Sequence, residues 1–370
     1  MTADGGIRPD GGTRPDGGTW PDGGGAVTVT TVTGPVSSAG LGLTLTHEHL
    51  RNDVSAAVTA TDDPSLAFLR DARTEPGLAW LLREHPYACL DHCRLDDDAA
   101  MLADLRAFAE AGGGTVVDVT PAGIGRDPLA LRSLAERSGL RIVMGSGWYL
   151  ERYHPAHLSR TDERTLAAGL AAEFADGADG TGVRPGVIGE IGVSPDFTPG
   201  EHTALRAAAR AQRETGVPLY VHLPGWQRRA HEVLDIVLGE YGVPPGAVVL
   251  CHMDPSHGDP AYQDGVAERG VWLEFDMIGM PFSYPGEGQS PAPHETARAI
   301  AGLIGRGHAG RLLLSHDVFL KSMLTAYGGN GFRYVPELFA RRLAGLGVAA
   351  DVAQGLLRAN PARLFEAAAA

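Results

Sequence analysis

Two histidines one residue apart, His47 and His49 in Thr44-Leu45-Thr46-His47-Glu48-His49-Leu50, follow an apolar lead-in. On a strand, successive side chains point to opposite faces, so this spacing puts both imidazoles on one face and Glu48 on the other. Two imidazoles on one face can grip a metal ion. The spacing is not the helical HExxH arrangement, whose histidines lie four apart. Taken alone the motif is short, and ordinary polar residues at a strand end give the same pattern. A series of lone polar residues further on changes the weight: Glu190, His222, His252 and Asp317 each belong to a separate apolar run. Four imidazoles and two carboxylates suit two borderline divalent ions, zinc first, with manganese, cobalt or iron as alternatives. Two ions about 3.5–4 Å apart need a carboxylate between them, and Glu190, central in the set, is the expected bridge.

Such distant residues meet only if the fold gathers the ends of their strands. A β-branched stretch over 27–32 predicts a first strand or hairpin leading into Gly34-Pro35. After the His47 strand, residues 51–95 carry mixed signals without a clear period. From there the pattern is regular. Strands are predicted over 115–120, 141–145, 186–192, 217–222, 247–252, 271–276 and 312–317. Helices are predicted over 96–111, 127–139, 162–175, 200–215, 226–240, 260–268 and 292–305, with terminal helices over 335–345 and 349–366. Short apolar strands alternating with helices mean a parallel sheet covered by helices. Eight such units predict a (β/α)8 TIM barrel, with the site at the C-terminal ends of the strands. The rival is a doubly wound open sheet. A closed barrel alone sets strands one and eight side by side and around the same pocket as strands four to six. No GxGxxG or GxxxxGK[ST] loop follows any strand, which removes the usual reason for a nucleotide-binding sheet.

The chain has 370 residues, is 44% hydrophobic, and carries a formal charge of −14, which argues against a nucleic-acid surface. Residues 1–25 repeat Pro-Asp-Gly-Gly units with almost nothing to bury and are expected to be a disordered tail, leaving 26–370 as the barrel. Three cysteines (Cys89, Cys93, Cys251) are too few, and odd in number, for a disulfide scaffold. His85, Cys89, His92 and Cys93 look like ligands, but no second Cys/His pair completes a structural zinc site, so a cover over one end of the domain is expected there. No apolar run approaches the roughly 18 residues of a membrane span, and no secretory signal is evident. A cytoplasmic location is expected.

HxH on the first strand, Glu190 on the fourth, single histidines on the fifth and sixth and Ser315-His316-Asp317 on the eighth resemble the amidohydrolase superfamily. Within it the chain is similar to the phosphotriesterase-related family. Gly123-Ile124-Gly125-Arg126-Asp127-Pro128, Ile188-Gly189-Glu190-Ile191-Gly192 and Tyr327-Gly328-Gly329-Asn330-Gly331 carry the likeness too, so it spans nearly everything from 28 to 366. Organophosphate-cleaving members and many lactonases bridge their metals with a carboxylated lysine. Glu190 stands at that position, as in the branch called phosphotriesterase-related proteins, so no carboxylated lysine is expected and phosphotriester cleavage is in doubt.

The resemblance implies that His47, His49 and Asp317 hold the more buried ion and His222 and His252 the more exposed one, with Glu190 and a hydroxide between them. Asp317 would carry the proton to the leaving group while His316 points away. Tyr149 stands where lactone-cleaving relatives place a pocket tyrosine, with simple packing as the more ordinary reading of such a residue. Lys321 and Arg333 follow strand eight and are expected to be solvated surface charges, with contact to an anionic substrate as the alternative. Asp276 ends strand seven, where a pocket role and a helix cap read alike. The expected function is hydrolysis of a small-molecule ester, lactone or amide, with a homodimer among the assemblies the family allows. The alternatives are a true phosphotriesterase or phosphodiesterase and, in another class, a barrel that binds without catalysis.

Overall fold

The computed structural model describes residues 25–370, so the expected tail, but for Gly25, lies outside the described residues. Eight parallel strands pair in chain order: Leu43–Glu48, Gly113–Asp118, Arg141–Ser146, Val187–Gly192, Leu219–His222, Val248–Leu250, Trp272–Phe275 and Leu312–Leu314. Each is buried on both faces, and most are accordingly near-continuous apolar runs. Val117, Val143, Val187, Tyr220, Val249, Trp272 and Leu313 pack together inside the barrel. Ile142, Ile188, Leu219, Val221, Val248, Leu273, Leu312 and Leu314 pack against the helices outside. The predicted hairpin, Thr28–Thr31 against Gly34–Ser37, contributes Val29 to the inner cluster, which Leu364 and Phe365 from the last helix complete.

Strands one and eight close the ring through a few specific bonds. Asp317 N–H donates to the His47 carbonyl at 3.2 Å, and His49 N–H donates to the Val318 carbonyl at 3.2 Å. Glu48, pointing away from the two histidines, accepts from four donors of the eighth strand and its loop. Its Oε1 takes the Ser315 hydroxyl (2.8 Å), the His316 N–H (3.0 Å) and His316 Nδ1 (2.7 Å), and its Oε2 takes the Val318 N–H (2.9 Å). Because His316 Nε2 accepts from Val335 N–H at 3.0 Å, its proton lies on Nδ1 and is donated to Glu48. His316 is thus structural, as its position in the strand predicts.

The helices follow the predicted punctuation. Asp97, Asp127, Asp162, Thr198 and Asp259 cap helix starts with side-chain oxygens, and Gly139 ends one helix in the left-handed region at φ 76°. Two predicted helices differ. The one expected from 226 starts at Ala230, which leaves Trp226 in the loop after strand five. The final stretch splits into Ala350–Leu357 and Ala359–Ala368, since Pro361 has no N–H to continue the helical ladder.

Residues 51–95 form short 3₁₀ turns and one small helix, Ala79–Glu84, with the neck closed by Asn52–Asp53 pairing with Arg94–Leu95. Of the Cys/His cluster in it, Cys89, His92 and Cys93 pack as protein core, while His85 is partly exposed. Cys89 donates to the Ala72 carbonyl, and His92 bridges the Pro86 carbonyl (2.9 Å) and the Ser322 hydroxyl (2.7 Å). Lys321 is not the surface charge the sequence suggests. Its side chain is buried and its ammonium binds Asp91 at 2.7 Å and Asp96 at 2.8 Å, fastening this segment to the loop after strand eight. Arg333 is exposed and pairs with Glu337.

Candidate metal centre

The six expected residues converge at the C-terminal mouth. A register shift between Leu45 and Glu48 accompanies the turn of His47 and His49 into the barrel. His222 is the last residue of strand five, whereas His252 and Asp317 lie just past strands six and eight. Both of these take left-handed backbone, at φ 59° and 52°. For a non-glycine residue that conformation is costly, and it concentrates where function requires a side chain to be aimed.

Glu190 stands between two sets of nitrogens. Its Oε1 is 3.4 Å from His49 Nε2, and its Oε2 is 3.2 Å from His222 Nδ1, 3.5 Å from His252 Nε2 and 3.7 Å from His47 Nε2. Asp317 Oδ1 lies 3.6 Å from His47 Nε2 and 3.3 Å from His49 Nε2. Ordinary N–H···O bonds run about 2.7–3.2 Å, so most of these spacings are long for hydrogen bonds. Ligands about 2.1 Å from one tetrahedral zinc are about 3.4 Å apart, which matches them. His47 Nε2 is fully buried with no hydrogen-bond partner, although it faces both carboxylates. The donor set therefore fits divalent ions. One pair departs: His222 Nδ1 and His252 Nε2 are 2.7 Å apart, a direct hydrogen bond.

The electrostatics point the same way. Burial alone pushes the His47 imidazole down, but Asp276, Glu274, Glu190 and Asp317 outweigh it and lift the group to about 9. For His49 burial is likewise overcome, by Asp317 and Glu190, to about 10. Burial would raise Asp317, but His49, His47 and His252 hold it below the usual carboxylate range. A dry cluster this rich in negative charge takes up cations, either protons on its imidazoles or metal ions in their place.

Around the six stands a layer that fixes the rings. His252 Nδ1 bonds Asp276 at 2.8 Å, His49 Nδ1 bonds Thr120 at 2.8 Å, and His47 Nδ1 bonds Glu274 at 3.1 Å. Asp276 is thus neither a helix cap nor a pocket wall. Glu274 and Thr120 were not singled out by the pattern, yet Glu274-Phe275-Asp276 repeats on strand seven the one-residue spacing of His47 and His49.

A cavity of about 500 Å³ opens above the centre. Tyr149 lines it, its ring edge-on to His222 with centroids 4.8 Å apart, and its hydroxyl bonds no protein group among the described residues. Across from it Tyr284 touches Trp226 (5.5 Å) and Tyr87 (5.8 Å), forming an aromatic wall from three loops. Gly288 is needed there, because a Cβ would lie 2.2 Å from the Trp226 indole nitrogen on which the Ser283–Tyr284/Gly288–Gln289 hairpin rests.

An eight-stranded parallel barrel with histidines and carboxylates gathered at the carboxyl ends of its strands defines a barrel hydrolase. The sequence profile of the Phosphotriesterase family matches residues 27–365, and the chain belongs to that family. An N-acetyltaurine hydrolase from Tetraodon nigroviridis is 32% identical over 337 residues, 90% of this chain and 96% of that one. A resiniferatoxin-binding protein from Rhodobacter sphaeroides superposes with a TM-score of 0.89 at 46% identity, covering 91% of this chain and 94% of its own. A mutant of a phosphotriesterase-like lactonase from Deinococcus radiodurans superposes at 0.72 with 31% identity, covering 91% and 100%.

Proposed function

We propose that this chain is a zinc-dependent hydrolase that cleaves an amide, ester or lactone bond of a small molecule. The observation that carries the reading is the set of 3.2–3.7 Å contacts that Glu190 and Asp317 make with four imidazoles on the floor of the cavity. His47, His49 and Asp317 would hold one ion, His222 and His252 the other, and Glu190 both. Divalent ions at these positions supply Lewis acidity and a hydroxide nucleophile at neutral pH. Asp317 takes the proton of the attacking water and returns it to the departing amine or alkoxide, so that water is added across the broken C–N or C–O bond. The free Tyr149 hydroxyl donates to an oxygen of the bound substrate, and the aromatic wall excludes water from its apolar part.

A carbonyl substrate is favoured over a phosphotriester by the relatives: one is named for hydrolysing an amide and one is a lactonase. A glutamate at the bridging position supports the same choice. Among the described residues no helix is long and apolar enough to cross a membrane, and we place the enzyme in the cytoplasm. The test is a hydrolysis screen of zinc- and manganese-loaded protein against γ-lactones, N-acyl amino acids and amino-sulfonates, aryl esters and aryl phosphotriesters. We expect kcat/KM of about 10⁴ M⁻¹s⁻¹ or more on one carbonyl class. Strong triester cleavage with weak carbonyl turnover would reverse the assignment. Fewer than one divalent ion per chain after growth with zinc would sink it.

A further inference from the structure

Glu274 is a carboxylate inside the barrel with no exposure to solvent. Its Oε2 bonds His47 Nδ1 at 3.1 Å and its Oε1 has no close hydrogen-bond partner among the described residues, with the Thr46 hydroxyl and the Cys251 thiol beside the group. The neighbouring Asp276 is fully engaged, accepting from His252 Nδ1 and the His252 N–H while lying 3.3 Å from His47. A buried charge so sparsely hydrogen-bonded is costly, and an apolar residue of similar size would serve packing better. What it does accomplish follows from proton placement. A carboxylate only accepts, so His47 keeps a proton on Nδ1, and a metal ion taking the place of any second proton would meet Nε2 on the side facing Glu190 and Asp317.

We propose that Glu274 is a positioning residue that fixes the tautomer and orientation of His47 and strengthens it as a metal ligand by its charge. The inference rests on reading the centre as a metal site. Glu274 does for His47 what Thr120 does for His49 and Asp276 for His252, so the ring nitrogens turned away from the centre in three of the histidines are each held. Glu274 and Asp276 also form a cluster with His47 and Cys251, their donor atoms within 4.8 Å of one another. A third ion there is disfavoured because the His47 nitrogen on that side holds the shared proton.

The test compares wild type, Glu274→Gln and Glu274→Leu by zinc competition against a chromogenic chelator, thermal unfolding of the metal-free proteins, and kcat and KM of the loaded ones. Glu274→Leu is expected to weaken zinc binding 10- to 100-fold, the usual effect of losing such a partner. Thermal unfolding of its metal-free form measures the cost of losing the Glu274–His47 contact separately from the zinc affinity. The glutamine variant, whose amide oxygen still accepts from Nδ1–H, should fall between the two and is decisive where the leucine variant does not fold. Wild-type zinc affinity in either folded variant overturns the role. So does a third zinc equivalent in wild type that Glu274→Gln removes, since Glu274 would then be a ligand. Wild type that retains no zinc overturns the metal reading as well, which separates the two failures.

Discussion

The residue between the two histidines offers a sharp test of how the barrel closes. Glu48 accepts four hydrogen bonds across the seam, three on Oε1 and one on Oε2. Glu48→Gln keeps the shape but turns one of the two oxygens into an NH₂ group. In the less damaging orientation the amide nitrogen replaces Oε2 and faces the Val318 N–H. That buried donor then has no acceptor, a cost of about 1–3 kcal/mol, and the other three bonds lose the help of a charged partner. The expected destabilisation is about 2–4 kcal/mol, a large part of the roughly 5–15 kcal/mol that holds a typical domain together. Urea unfolding of the metal-free variant should show a lower midpoint with an unchanged slope. The same seam contains the Asp317 N–H bond to the His47 carbonyl, so turnover by the loaded variant should fall as well. A midpoint shift worth less than about 0.5 kcal/mol, the ordinary effect of a surface change, would refute this account of closure.

Asp317→Asn should keep the fold and most of the metal but lose kcat by about 10²–10⁴-fold or more, and near-normal turnover would refute the proton role. Tyr149→Phe removes a hydroxyl with no protein partner among the described residues, so stability should stay within about 0.5 kcal/mol while KM or kcat worsens; unchanged kinetics would place the tyrosine in packing alone. His92 predicts an acid sensitivity of its own. Burial chiefly, helped by Lys321, depresses the folded group from 6.5 to about 4 against the opposing pull of the Pro86 carbonyl and Asp91, so it stays neutral while the unfolded chain takes up a proton. Stability from this group is complete above pH 6.5 and is lost as pH falls toward 4, by about 3 kcal/mol in all. Glu or Gln scanning is not needed to see it: His92→Asn should flatten the stability profile between pH 6.5 and 4, and an unaltered slope would refute the assignment.

Eight strands and most helices were legible because each strand is a short apolar run and each helix carries its own Asp, Thr, Pro or Gly punctuation. The six candidate residues were legible only as a set, because each alone reads equally as an ordinary polar residue at a strand end and their shared order along the strands is what gathers them. Other features left no periodic trace. The segment 51–95 is held by Lys321, Asp91, Asp96 and His92, contacts that join residues over 200 positions apart in sequence. The left-handed turns at His252 and Asp317 are imposed by the surroundings, against the preference of the residues themselves. Glu274 reads in sequence as a polar interruption of a strand, and only the packing shows which imidazole it faces.

The tie between Lys321 and the segment after strand one has a kinetic consequence. Its ion pairs, the His92–Ser322 bond and the Lys321 N–H bond to the His92 carbonyl stitch that wall of the cavity to the same loop that carries Asp317. The tie holds the wall to the barrel where Asp91 and His92 sit, so the amides there should exchange with deuterium more slowly than those of the exposed turns of the same segment.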